Sequence, residues 1–244
     1  MRLALMVGLC GWCNGCAGST SARLYGVGDV AIQIARVGDR LRVVVSWPDA
    51  TQNVTHRPWV WKNGAYEMST EREDMAELSF AEGPARPVLS GDARSWDVWH
   101  WKAFRTNSAG YAIDKMHYYL TADPGGDAHS YRARSGATVW TTRPEDQGTN
   151  VQKRLPKPDQ YQGDVVPQYG LDTPSGSVAD VRAKGRWEAG RWTVEFSRAL
   201  STGHADDVAF VPGRTYALGV TTFDGRGHKE WTPDDVNVIE ITVP

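Results

Sequence analysis

The chain has 244 residues, 41% of them hydrophobic and 23% charged, an ordinary soluble globular composition. Its formal net charge of -2 gives no long-range pull toward nucleic acid or anionic lipid, which excludes an electrostatic nucleic-acid binder. Eleven Trp, nine Tyr and 25 Gly lean toward strands and turns, and the length suits one large β-sandwich or two small domains.

Residues 1–22 stand apart. Arg2 precedes the apolar run Leu3 to Cys10, and small residues follow from Asn14 to Ala22. That order is the order of a secretory leader, too short to span a bilayer. Cys13-Asn14-Gly15-Cys16 is an imperfect lipobox, with Gly15 in place and Cys13 where Leu is usual, and it makes Cys16 the lipidation candidate. Thr20-Ser21-Ala22 suits a general signal peptidase instead. The expected product is exported, periplasmic or anchored as a lipoprotein. All three cysteines lie in this leader, so Cys10, Cys13 and Cys16 read as leader residues better than as an iron–sulfur or zinc site. The mature domain at 23–244 then holds together by its core, without a disulfide.

Val30 to Ile34 and Leu41 to Trp47 alternate around Gly38-Asp39 and read as a β-hairpin. Met75 to Phe80, Trp96 to Ala103, His117 to Leu120 and Ala137 to Thr141 are further short strands. Trp192 to Phe196, Tyr216 to Thr222 and Val238 to Val243 complete the series. Short strands bounded by Gly, Pro, Asp or Asn, without helical periodicity, predict an all-β sandwich or barrel. Between them, 142–180 is polar and punctuated by Pro144, Pro156, Pro158, Pro167 and Pro174. It reads as a long surface loop, either passive or covering a site.

Strand alternation sends Val98, His100 and Lys102 to one face and Trp99, Trp101 and Ala103 to the other. That presents an imidazole and an amine either to a pocket or to solvent. Met116 and His117, both able to ligate iron, fall on opposite faces. No G-x-S-x-G, H-E-x-x-H or phosphate loop occurs, and no carboxylate pair is singled out, so nothing in the sequence supports catalysis.

Several stretches together resemble one family. Trp47-Pro48-Asp49-Ala50-Thr51, Glu73-Asp74, and above all Asp97 to Ala103 with Arg105-Thr106-Asn107 and Gly110-Tyr111-Ala112 carry the likeness. Asp180 to Gly185, Trp187, Gly190, Trp192 to Leu200, Thr202-Gly203-His204, Asp207-Val208 and Phe223-Asp224-Gly225 continue it. Across roughly 27–243 the sequence resembles the haem-binding domain of the ethylbenzene dehydrogenase gamma-subunit family. The resemblance implies an immunoglobulin-like (DOMON-like) two-sheet β-sandwich holding a six-coordinate b-type haem, with Met and Lys as axial ligands. It also implies electron transfer with a redox partner protein or molybdoenzyme subunit.

The sequence departs from the family at both ligands. Pro87-Val88-Leu89-Ser90-Gly91 stands where the Met is expected, and Arg214 is the basic residue near the expected Lys. With no C-x-x-C-H, covalent c-type haem is excluded. His228, His117, His100 and Lys102 become the substitute cofactor-binding residues, with His228 and His117 the leading iron ligands. Asp97, Arg105 and Asp114 are expected to brace the loops around the tryptophan-lysine strand. Two other functions stay open: a haem-free carbohydrate or protein-binding module, with Trp59, Trp61 and Tyr66 as a stacking cluster, and an assembly subunit of an envelope complex.

Overall fold

The computed structural model describes residues 22–86, 91–133, 135–225 and 238–244. Cys16 and the leader before Ala22, residues 87–90, and His228 lie outside the described residues.

The chain begins with three antiparallel strands, β1 (Ala22–Val27), β2 (Val30–Val37) and β3 (Arg40–Pro48). The expected hairpin is there: Val37 pairs with Arg40 across Gly38-Asp39, and Gly38 takes the positive φ that a two-residue turn requires. Two short strands follow, β4 (Trp59–Lys62) and β5 (Ala65–Met68). The next three carry the site, namely β6 (Met75–Glu82), β7 (Arg94–Lys102) and β8 (Ile113–Leu120). Then come β9 (His129–Arg132), β10 (Thr138–Thr142), β11 (Gln152–Arg154), β12 (Val165–Val166) and β13 (Tyr169–Leu171). The last four are β14 (Arg182–Glu188), β15 (Arg191–Ala199), β16 (Thr215–Phe223) and β17 (Val238–Thr242). Among the described residues the helical content is two 3-10 turns, Asn107–Ala109 and Ser177–Ala179, and no helix is long and apolar enough to cross a membrane.

Two antiparallel sheets form the sandwich. One runs β1-β2-β3-β15-β14 and the other β17-β16-β6-β7-β8-β10-β9. Alternation decides what lies between them. On β3, Leu41, Val43, Val45 and Trp47 point inward, and on β15 Trp192, Val194 and Phe196 do the same. The facing sheet contributes Ala76, Leu78 and Phe80 from β6 and Trp99 and Trp101 from β7. Trp47, Trp101 and Trp192 meet at ring-centroid distances of 5.0 to 6.3 Å, an aromatic knot in the expected core.

Asn107 ties that knot to the facing sheet. Its side-chain Oδ1 accepts from Trp101 Nε1 (3.1 Å) and from the Gly185 N–H (2.7 Å), and its Nδ2 donates to the Gly185 carbonyl (3.1 Å). The close approach requires glycine: a Cβ on Gly185 would lie 2.3 Å from Trp101 Cζ2.

The 142–180 stretch is more ordered than a loop. β11 pairs with β13, and β12 joins β4 and β5 in a separate three-stranded sheet. Strand β14 was also not expected as a strand. Its inward positions are Ala183, Gly185 and the half-buried Trp187, and the first two are too small to mark an apolar alternation.

Candidate functional site

On the outer face of the seven-stranded sheet the register sets a row of ionisable side chains. Glu77 on β6 pairs with His100 on β7, and β8 brings Lys115 and His117 to the same face. With Tyr119 and Arg143 they line a pocket of about 160 Å³. Farther along the same face Trp96, Val98, Tyr119 and Val139 form a small apolar cluster, which meets the pocket at Tyr119.

Glu77 is the hub. Its carboxylate lies 3.4 Å from Lys115 Nζ, 3.6 Å from His100 Nδ1 and 3.8 Å from His117 Nδ1. Burial pushes its carboxyl up, but the Lys115 ammonium and the Arg143 guanidinium outweigh this and hold it below the usual carboxylate range. Burial, reinforced by Lys115, pushes His100 well below its ordinary value. Burial takes His117 down to about 3 although Glu77 pulls the other way. Both imidazoles are therefore neutral at pH 7, the form that ligates metal.

Their tautomers differ. Lys115 Nζ lies 3.0 Å from His100 Nδ1, and an ammonium only donates, so His100 Nδ1 is the acceptor and Nε2 carries the proton. His117 Nδ1 faces a carboxylate, which favours the proton on Nδ1 and leaves the Nε2 lone pair free. Both Nε2 atoms are buried without a hydrogen-bond partner. His117 is thus the better ligand by electronic state, and His100, stacked on Phe223 at 6.0 Å, is a wall.

Lys102 shares the face but not the pocket. It is buried, its Nζ reaches Gln152 Oε1 at 3.4 Å, and burial followed by the Arg105 charge lowers it to about 7. The 142–180 stretch therefore covers the sheet at this end. Arg105 pairs with Glu73, which also accepts the Phe104 and Arg105 N–H groups, so Arg105 braces the loop after β7 as expected.

His56 Nδ1 lies 3.2 Å from the same Glu73 carboxylate. Even so, burial and then the Arg105 charge take His56 down to about 3. A histidine kept neutral by the fold stabilises it above pH 6.5, where the unfolded chain is neutral too, and loses that contribution as pH falls toward 3. His56→Gln should flatten the loss of unfolding free energy between pH 6.5 and 4.5 by up to about 1.4 kcal/mol per pH unit, read from urea midpoints.

Asp97 braces the 206–208 loop by accepting the Val208 N–H at 2.8 Å, and with Asp114 it also reaches across the sandwich. Cross-sheet, Arg198 of β15 reaches both from the opposite layer, at 2.6 and 3.4 Å, and also meets Asp207 at 2.8 Å. Trp61 packs edge-on against Tyr66 and Tyr161 on the three-stranded sheet, and Lys157 Nζ lies 5.8 Å from the Trp59 ring centroid. Tyr66 is buried and donates to the Gly163 carbonyl, so it props that sheet and presents no stacking face.

Sequence reasoning missed Glu77, Lys115 and Arg143. Glu77 leaves a trace, since it interrupts the apolar strand Met75–Glu82 directly opposite His100. Arg143 leaves none.

The chain is a two-sheet antiparallel β-sandwich with an ionic pocket on one outer face. A family profile described as ethylbenzene dehydrogenase matches residues 17–233, and the chain belongs to that family. No curated protein sequence matches it.

Proposed function

We propose that the protein is a b-type haem-binding, electron-transfer domain of the cell envelope, without catalytic activity of its own. The observation that carries this reading is His117: neutral, buried, its Nδ1 turned to Glu77 and its Nε2 without a partner. Haem, when bound, would shuttle one electron between ferric and ferrous iron. The chain's own residues do the rest. Glu77 orients His117, Lys115 balances the Glu77 charge, and Phe223 and His100 wall the pocket. Family membership supports the cofactor class and a redox partner or molybdoenzyme subunit. The leader supports export, with Cys16 as the anchor point.

The donor fits iron, but the space does not yet fit the whole macrocycle. About 160 Å³ lies between the described residues, below the roughly 300 Å³ at which cofactor pockets usually begin. That volume favours, as a second reading, a haem-free module that keeps the sandwich and its family features.

An absorption spectrum of the exported protein, produced with haem supplied, separates the two. A Soret band that gains α and β bands on dithionite reduction, and is lost or shifted in His117→Ala, is the expected result. A spectrum with no Soret band would establish the haem-free module. A band unchanged in His117→Ala would remove His117 as ligand.

A further inference from the structure

On the inner side of β7, Arg198 cannot satisfy the acids around it. Its Nη1 lies 2.6 Å from Asp97 Oδ2, 2.8 Å from Asp207 Oδ1 and 3.4 Å from Asp114 Oδ2. One guanidinium nitrogen carries two protons, so three carboxylates compete for them, and the long contact marks Asp114 as the one left short. Nη2 donates to the Val208 carbonyl at 2.6 Å, and the buried Nε–H makes no hydrogen bond to any of the acids.

A further acid closes the cluster. The Asp146 N–H donates to the Asp114 carbonyl at 3.3 Å, and only 9% of the residue is exposed. Asp146 Oδ2, Asp114 Oδ1 and Asp97 Oδ1 are all buried without a hydrogen-bond partner. Asp206, Asp207, Asp97 and the Arg198 guanidinium all lie close enough to act on the Asp146 carboxyl. Four carboxylates share one guanidinium. Bare buried carboxylate oxygens are costly, and a cation or protons must offset them.

The spacing suits a cation. Carboxylate oxygens of Asp97, Asp114 and Asp207 lie within 4.8 Å of one another. That is the span across a calcium ion whose ligands sit roughly 2.3–2.6 Å away. The cluster offers oxygen and neither imidazole nor sulfur, a set that selects hard cations over zinc or copper.

We propose that Asp97, Asp114, Asp146 and Asp207 form a buried site for a hard divalent cation of the calcium class, set between the two sheets beside Arg198. The ion takes the oxygens that Arg198 leaves bare, and it links β7 and β8 to the 145–147 and 206–208 loops. This site is separate from the outer pocket and stands whether or not haem binds.

Chelator-stripped protein titrated with calcium chloride tests it, with terbium as a luminescent stand-in. Arg198 Cζ lies 5.0 Å from the Trp99 ring, so terbium in the site sits near an indole that can sensitise it. At a hundredfold excess over Kd, calcium should raise Tm by about 5 °C, and it should displace terbium emission excited through tryptophan. Asp146→Asn, which leaves the Arg198 contacts intact, should abolish both responses and raise the metal-free Tm. Asp180→Asn, in the neighbouring Asp180–His204–Asp207 group that shares only Asp207 with the site, should leave both unchanged. No calcium response in the native protein would overturn the proposal and assign the cluster to shared protons. Loss of the response in Asp180→Asn but not in Asp146→Asn would move the ion to the surface and overturn it equally.

Discussion

Replacing Arg198 with Met should lower the unfolding free energy by about 3–5 kcal/mol at pH 7, because it strips a fully buried acid cluster of its one cation. Met keeps most of the volume, so the loss reports charge more than packing. The surrounding carboxylates hold Arg198 above its already high ordinary value in spite of burial, and it stays charged at any accessible pH. The acids do not. Burial raises Asp114 well above its ordinary value and Asp207 to about 6. As pH falls these groups take protons, their mutual repulsion disappears, and the deficit of the variant should shrink. Urea unfolding at pH 7 and pH 4, with chelator present, measures both values. A deficit equal at the two pH values would mean that the guanidinium matters through its packing on Trp99 and Phe210 instead.

Gly185→Ala should destabilise the sandwich by about 3 kcal/mol. The new Cβ would meet Trp101 Cζ2 at 2.3 Å and Cε2 at 2.9 Å, and Trp101 has Trp47 and Trp192 behind it. Movement of either group also strains the Asn107 amide that bonds both. Trp101→Phe removes the ring atoms that collide. In a double-mutant cycle the pair should therefore be less destabilised than the sum of the single variants, by roughly 0.5–3 kcal/mol. Additive losses would show that Gly185 is needed for backbone reasons alone.

The parts legible in the sequence are those where alternation is apolar against polar. β3, β6, β7, β15 and β16 stand within a few residues of their expected bounds, and the inward turn of Trp99 and Trp101 and the outward turn of His100 and Lys102 follow from period two alone. Strands such as β14 were hidden because their buried positions hold Ala and Gly. The small β12-β4-β5 sheet was hidden because its strands are two to four residues long. At the site, His100 and His117 could be picked out by residue type, but their shared partner could not. Glu77 is joined to them by the β6-β7-β8 register, a long-range fact absent from any local window. Lys102, grouped with the histidines on alternation, is diverted by Gln152 of β11, fifty residues away. Arg198 sits in an apolar strand as if misplaced, and only the facing sheet explains it.

Strand β7 separates two chemistries one side chain thick. Asp97, Trp99 and Trp101 belong to the space between the sheets, while His100 looks into the outer pocket. Because neighbours on a strand face opposite ways, inserting or deleting one residue between 97 and 102 would exchange the two sets wholesale. Indoles would then be stranded among the charges and an imidazole pressed into the aromatic knot. Side chains here can be traded within a face, but the length of the segment cannot drift, so its count of residues is as much a part of the design as their identities.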